Sequence, residues 1–184
     1  PYYTAVVTFV TETSNTSPAA LGAYAGLAAQ LGLGSEGNNL GGGLFEGDNI
    51  FDLMRSRRML MKTLLTPVTI DGKKMLLIDR YIAMEKLRDR WKKNPALRDI
   101  SFDIDTTKFT LNHYAIIQNI CGAIVAGNLH FDKGSIFAVS CRSQDELFSK
   151  LFIEKLISNV SAFYIDTRTA KARENLAIIQ KQLD

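Results

Sequence analysis

One stretch of the chain, from Ser143 to Asp184, contains neither proline nor glycine. Because both residues weaken or end helices, so long a stretch without them favours a single helix. We expect a capping box at its start, in which the side chains of Ser143 and Glu146 bond to each other's backbone amides. At about 1.5 Å per residue the helix would extend roughly 60 Å, more than the width of a domain of this size. We therefore predict that part of it projects.

The apolar pattern changes along this predicted helix. Its first half carries a wide apolar face suited to packing on a sheet or on other helices: Leu147, Phe148, Leu151, Phe152, Leu156, Val160 and Phe163. From Ile165 the pattern narrows to a stripe that alternates steps of four and three: Thr169, Ala172, Leu176, Ile179 and Leu183. So narrow a stripe suits one neighbouring helix, and we predict that Leu176, Ile179 and Leu183 belong to a subunit interface.

Composition and charge narrow the class of protein. Hydrophobic residues make up 46% of the 184 residues and charged residues 22%, which is ordinary for a globular domain. A net charge of only +3, with acids interspersed among the bases, does not favour nucleic-acid binding. The longest apolar run, Ala115–Gly127, contains Gln118 and Asn119 and is too short to cross a bilayer. The chain begins at Pro1 and reaches Asp184 without a glycine cap, so we expect a piece of a longer protein.

The rest of the chain predicts an α+β base beneath the long helix. Patterning predicts a mixed sheet with helices packed on it. The predicted strands are Tyr3–Thr11, Asp99–Asp105 and Ser135–Cys141, and the covering helices are Ala20–Leu31 and Leu111–Ala126. A hairpin is predicted from Asn128 to Arg142, and helical segments are predicted for Lys74–Lys93 after a turn at Asp71-Gly72. We place the base at 1–150 and the first part of a truncated helical arm at 151–184.

Candidate ligand sites do not satisfy the chemistry they would need. The loop Gly32–Gly43 lacks the lysine and hydroxyl that a Walker loop requires, so we interpret it as a flexible linker. Asp99, Asp103 and Asp105 lack the glycine turn and terminal glutamate of a calcium loop. We expect no cofactor and no metal.

The cysteines and histidines also argue against catalysis. Cys121 and Cys141 are too few for a disulfide framework or zinc site, and we interpret them as separate buried thiols, with a single bridge as the alternative. His113 and His130 have no partner at triad-like spacing. We therefore predict that the protein is not an enzyme.

Three arginines crowd the junction between two predicted short helices, with Ser56 as the N-cap of the second. Arg55, Arg57 and Arg58 have two interpretations. They form either a solvated face or a contact with an anionic partner or another subunit. We select Arg57 and Arg58 as candidate interface residues.

Three segments resemble a known family: YYTAVVTFV at 2–10, DNIFDLMRSRRMLMKTLL at 48–65, and the strand-to-helix run from Gly134 to Asp184. They are similar to the Wzz-type chain-length determinants, or polysaccharide co-polymerases, of bacterial surface polysaccharide assembly, in the versions found in Bacteroides-like bacteria. The specific features are Ser56-Arg57 and the long helix carrying Phe163-Tyr164 and Arg168.

The resemblance implies a periplasmic domain held at the inner membrane by two flanking transmembrane helices. It also implies a homo-oligomeric ring that sets the modal length of O-antigen, capsule or another surface polysaccharide together with a polymerase, with glycan as a further candidate partner. A related alternative is the periplasmic segment of a co-polymerase that carries a cytoplasmic tyrosine kinase. A coiled-coil adaptor of an export system would also account for the long helix, although it accounts less well for the α/β base.

Overall fold

The computed structural model describes residues 1–9, 49–70, 72–134 and 136–183, without the side chains of 168, 171, 172 and 174–183. Its elements in chain order are β1 (Tyr3–Phe9), α1 (Asn49–Arg55), α2 (Arg57–Leu64), β2 (Pro67–Ile70), β3 (Lys73–Leu76), α3 (Leu77–Met84), α4 (Leu87–Trp91), α5 (Pro95–Arg98), α6 (Leu111–Gly127), β4 (Leu129–Asp132), β5 (Phe137–Ser143) and α7 (Glu146–Leu183). The predicted α+β class with a long C-terminal helix is confirmed. The predicted helix Ala20–Leu31 and the linker Gly32–Gly43 lie outside the described residues.

The main sheet has the strand order β1-β5-β4, with both pairings antiparallel. Val7 of β1 and Phe131 of β4 both face Val139 of the central strand, which is fully buried. The predicted hairpin and the predicted pairing of the first strand with the strand after the turn are therefore confirmed. The described strand pairs are all antiparallel, so the mixed sheet that we predicted is not found among them. Phe51 of α1 contacts the sheet, with ring centroids 5.1 Å from Phe131.

The predicted strand at Asp99–Asp105 is wrong. This segment is irregular and ends in a 3₁₀ turn at Thr106–Lys108, which Asp105 caps by accepting from the amide of Thr107. Its alternating pattern arises because Ile100 and Phe102 are buried while their neighbours are exposed. Side chains from elsewhere satisfy its carbonyls: Arg88 donates to Ile100 O at 2.6 Å and His113 bonds Ser101 O at 3.1 Å. A neighbouring strand is therefore not needed there.

A second hairpin, β2–β3, was not predicted. Ile70 pairs with Lys73, so the expected turn falls between two paired strands, and Gly72 has the positive φ of 76° that favours glycine. However, the four residues after it form strand β3, and the predicted helix begins only at Leu77. Leu77, Tyr81 and Ile82 of α3 are buried, so the helical spacing was recognised correctly but extended too far towards the N-terminus.

Helix α7 spans 38 residues, about 57 Å, and its first turns form the centre of the core. The buried side chains on this part of α7 are Phe148, Ser149, Phe152, Ile153, Leu156 and Val160. Ser149 donates to the backbone oxygen of Tyr3 in β1, and Asn159 donates to Thr63 of α2. Beyond Val160 burial declines, and Ile165 is 60% exposed. The helix is therefore rooted in the base before it projects.

The predicted capping box at Ser143 and Glu146 is wrong. Asp145 is the cap, because its carboxylate accepts from the amide of Phe148 at 3.0 Å. Ser143 is the last residue of β5, and its buried hydroxyl bonds Asp145 and the hydroxyl of Ser149. Leu147, which we predicted for the apolar face, is 39% exposed. Leu147 lies about 100° round the helix from Phe148, at the edge of the apolar face rather than at its centre.

Candidate interaction surface

The arginine-rich junction is a short break between two helices. Ser56 lies between α1 and α2 and accepts from the amide of Met59 at 3.4 Å, so its predicted role as the N-cap is confirmed. Arg55 places its guanidinium 4.2 Å from the ring centroid of Phe131 and 3.5 Å from Asp52.

Arg57 lies at the mouth of a cleft between α2 and α6, which we call the Arg57 cleft. The cleft encloses about 360 Å³ and its lining is mostly apolar. It is lined by Arg55, Arg57, Leu60, Gln118, Cys121, Gly122, Val125 and Ala126. A Cβ added at Gly122 would meet nothing within 4 Å, so the glycine leaves space. None of the described residues forms an ion pair with Arg57.

Helix α6 presents an exposed face without charge. Its 17 residues include no Asp, Glu, Lys or Arg, and its one histidine is buried. The exposed residues on this face are Leu111, Asn112, Ala115, Gln118, Asn119, Gly122, Ala123, Ala126 and Gly127, of which Leu111 is 87% exposed. Solvent-facing helix surfaces usually carry charges. The absence of charge is the feature that this face shares with the core of protein interfaces.

Of the five predicted interface residues, only Arg57 and Arg58 have side chains that the structure describes, and these two make different contacts. Arg57 lines the cleft, whereas Arg58 places its guanidinium 5.1 Å from the ring centroid of Phe163 on α7. Arg58 therefore helps to attach the arm to α2 within the chain. The side chains of Leu176, Ile179 and Leu183 lie outside the described part of α7, so their predicted role stays a prediction.

Both cysteines are free and buried, as predicted. Burial raises the pKa of Cys121 to about 11, although the nearby charge of Arg57 opposes part of that shift. Burial raises the pKa of Cys141 to about 12, partly offset by a hydrogen bond with Ser149. Because the thiolate is the nucleophilic form, a raised pKa makes both cysteines poor nucleophiles near neutral pH.

His113 has a structural role that sequence reasoning missed. Its Nδ1 accepts from the amide of Thr110 at 3.1 Å, so its Nε2 carries the proton and donates to Ser101 O. Its ring also stacks on Phe109 at 4.8 Å. The histidine therefore caps the start of α6 and holds the preceding loop. The signal was the Thr110-x-x-His113 spacing, which resembles a capping box with histidine in place of glutamate. His130, in contrast, is exposed on β4.

Two of the three acidic residues that we considered as a cation site, Asp99 and Asp105, have hydrogen-bond partners of their own. Asp99 pairs with Arg98 at 2.9 Å, which lowers the pKa of its carboxyl, and Asp105 caps the 3₁₀ turn. The described residues contain no group of three or more His, Cys, Asp or Glu side chains suited to a metal ion.

Within the same residues, no helix combines the length and apolar character needed to cross a membrane.

Comparison with known proteins found no relative of this chain. No protein-family model, curated protein or solved structure matches the chain.

Proposed function

We propose that this chain is the periplasmic part of an inner-membrane regulator of polysaccharide chain length. It acts without catalysis, by assembling with copies of itself and with a polymerase. The sequence resemblance supplies the class, and the rooted arm is the observation that supports it best. A 38-residue helix that begins in the core and continues beyond it can hold neighbouring subunits at a fixed spacing.

The core of the base supports a mechanical role for this helix. Phe148, Phe152 and Leu156 are completely buried, and β1, β5 and α2 all contact α7. A contact made on the base is therefore transmitted to the arm through close packing. The same base and arm would serve a co-polymerase with a cytoplasmic kinase, and a Walker motif encoded downstream would identify that version.

The Arg57 cleft is the surface that we assign to subunit assembly. It combines an apolar floor with an arginine at its rim, a combination common at protein interfaces. The residues of α6 that line the cleft carry no charge that would need to be desolvated on contact. Assembly through this cleft would place the arms of neighbouring subunits side by side.

The test is Arg57→Glu in cells that carry the whole gene. Reversing the charge at the cleft should shift the modal length of the surface polysaccharide without stopping synthesis, because an interface substitution changes populations rather than removing a chemical step. The readout is a gel of surface polysaccharide at matched protein expression. The matched control is Lys62→Glu, which makes the same charge change at an exposed position on the same helix.

Two results would contradict the proposal. One is an unchanged length distribution both with Arg57→Glu and with the gene deleted. The other is complete loss of polymer when either His113 or His130 is replaced in a protein that still folds, since that would indicate an active site.

The stripe on the arm gives a second test of assembly. We expect weak self-association of the chain in solution, and Leu176→Glu with Ile179→Glu should abolish the higher-order species while the base stays folded. Sedimentation velocity at high concentration measures both effects. If the unsubstituted chain is strictly monomeric, the stripe is not a subunit interface in this chain.

A further inference from the structure

A second depression, the long groove, lies on the other side of α6 from the Arg57 cleft. It consists of two cavities of about 340 Å³ and 560 Å³ that share Tyr81, Glu85 and Ala123. The first cavity reaches Trp91 at the end of α4. The second reaches Arg142 at the end of β5. Because they share three lining residues, the two cavities are neighbours in the base, and together they are called the long groove.

Helix α6 forms one wall of the long groove. Ile116, Asn119, Ala123 and Gly127 lie three or four residues apart, so they occupy one stripe along the helix. From Ile116 to Gly127 the stripe runs about 17 Å. The wall is long and narrow, which suits an extended ligand better than a compact one.

Aromatic side chains occur at intervals along the groove. Trp91 lies in the first cavity, Tyr81 borders both, and Tyr2 lies in the second. The Arg142 guanidinium lies 4.8 Å from the ring centroid of Tyr2, and Gln144 donates to the Tyr2 hydroxyl at 3.4 Å. These contacts hold the Tyr2 ring in place. Aromatic rings held in this way offer apolar faces next to polar groups.

The polar groups of the groove both donate and accept hydrogen bonds. Asn119, Asn128 and Gln144 each carry an amide with a donor and an acceptor. Asn128 is fixed by its bonds with the backbone of Arg142, at 2.7 Å and 2.8 Å. Burial, followed by the nearby Glu85 carboxylate, raises the pKa of Tyr81 to about 12, so its hydroxyl keeps its proton at neutral pH.

The charges of the groove are mixed and sparse. Arg90 and Arg142 are opposed by Glu85, and among the described residues no cation pairs with the Glu85 carboxylate. A strongly charged polymer would require one dominant sign. The groove also offers no open strand edge from β5, which is paired on both sides. Its chemistry therefore differs from that of a nucleic-acid site or a strand-addition site.

We propose that the long groove binds a hydroxyl-rich ligand, a segment of the polysaccharide chain itself. Sugar rings would lie against Trp91 and Tyr2, and their hydroxyls would bond the side-chain amides of Asn119, Asn128 and Gln144. The identity of the polymer rests on the proposed function, but the groove and its chemistry do not. The regulator would then contact its product on one side of α6 and its neighbour on the other.

Two adjacent amides on α6 provide a matched pair for the test. Asn119 lines the long groove, whereas Gln118 lines the Arg57 cleft, and both are exposed. The probe is the surface polysaccharide of the bacterium that carries the gene, cut by partial acid hydrolysis and separated by size. Isothermal titration of the 184-residue chain measures the affinity for each size fraction.

We expect the unsubstituted chain to bind the longer fragments, with affinity rising as the fragments lengthen. Asn119→Ala should weaken binding about tenfold and Trp91→Ala by more, whereas Gln118→Ala should leave it unchanged. No binding at millimolar fragment concentration would overturn the proposal. Equal affinity for the Asn119→Ala and Gln118→Ala variants would also overturn it. Urea unfolding confirms that each variant is folded.

The failures of the two proposals are distinguishable. If fragments do not bind but Arg57→Glu shifts chain length, the groove assignment fails and length control stands. A different result is that fragments bind, that Asn119→Ala weakens this binding, and that deletion of the gene leaves chain length unchanged. In that case the groove assignment stands and the proposed role in length control is wrong.

Discussion

Arg80 of α3 and Asp145 at the start of α7 form an ion pair, with Nε and Oδ2 2.6 Å apart. The N–H of Arg80 is not aligned for a hydrogen bond, so the contact is mainly electrostatic. The two side chains are only 31% and 15% exposed, so solvent screens this pair less than a surface pair. Asp145 also caps α7 through the amide of Phe148. One carboxylate therefore fixes the start of the long helix and attaches it to α3.

Asp145→Ala should destabilise the protein by about 1–3 kcal/mol, because it removes the cap and leaves the Arg80 guanidinium partly buried without its partner. Asp145→Asn should cost less, since asparagine caps helices well and only the charge is lost. Urea unfolding followed by circular dichroism measures both. Equal losses for the two variants would mean that the cap contributes little and the ion pair accounts for the effect.

His113→Ala should destabilise the protein by about 2–3 kcal/mol, because it removes a helix cap and leaves the carbonyl of Ser101 without its donor. The control is His130→Ala, which changes the same residue type at an exposed position and should shift stability by less than about 0.5 kcal/mol. Thermal unfolding compares them. If the two variants are equally stable, the hydrogen bonds of His113 do not hold the loop to α6.

Asp79→Asn should stabilise the protein at neutral pH. Burial raises the pKa of the Asp79 carboxyl above its ordinary value of 3.8, although Arg88 opposes part of the shift. The protonated acid is therefore favoured by folding, and its contribution to stability is lost as pH rises through the raised pKa. The advantage of the asparagine variant should grow over that window and then stay constant, as measured by urea unfolding at several pH values.

Asp105→Asn is a control of opposite sign for this pH series. Hydrogen bonds from the amide and hydroxyl of Thr107 lower the pKa of Asp105. Its contribution to stability is present above the ordinary pKa and is lost as pH falls through the lowered one. The asparagine variant should therefore be the less stable protein at neutral pH, and the difference should disappear in acid. The same direction for both variants would contradict the assignment of causes.

Cys121 and Cys141 should resist thiol reagents in the folded protein. Both are buried, and burial raises the pKa of each thiol, so the reactive thiolate is scarce near neutral pH. Ellman's reagent should titrate two thiols in urea and essentially none in native buffer. Variants with one cysteine replaced by serine identify which thiol reacts first. Rapid reaction of native Cys121 would show that the Arg57 cleft opens to its floor.

Much of the fold could be predicted because local patterns and packing agree. The absence of proline and glycine from 143 to 184 predicted the long helix, and the β-branched and aromatic residues of β1 predicted its strand. The predicted strand at Asp99–Asp105 was wrong because side chains, rather than a neighbouring strand, bond its backbone carbonyls. Ile100 and Phe102 alternate like strand residues, but Arg88 and His113 satisfy the carbonyls of that segment, and a contact over twelve residues leaves no local signal. The predicted capping box was wrong because Ser143 is the last residue of β5, so it is not the residue that directly precedes the helix.

The candidate surfaces were only partly visible in the sequence. Crowded arginines drew attention to Arg57, but nothing local showed that Arg58 would cover Phe163 instead. The two depressions depend on which elements flank α6, and that arrangement follows from tertiary packing. Gln118 and Asn119 looked alike as adjacent amides in an apolar helix, although they line different depressions.

The connection from β5 to α7 contains only Gln144 and Asp145, so the direction of the helix is set within a few ångströms of the sheet. From Val160 to Leu183 the helix continues for about 35 Å. In the proposed assembly it would act as a lever arm whose pivot is the aromatic packing of Phe148 and Phe152. A tilt of about 5° at the pivot moves the tip, about 50 Å away, by about 4 Å. Small changes in core volume would thus be amplified into the diameter of any ring that these arms enclose.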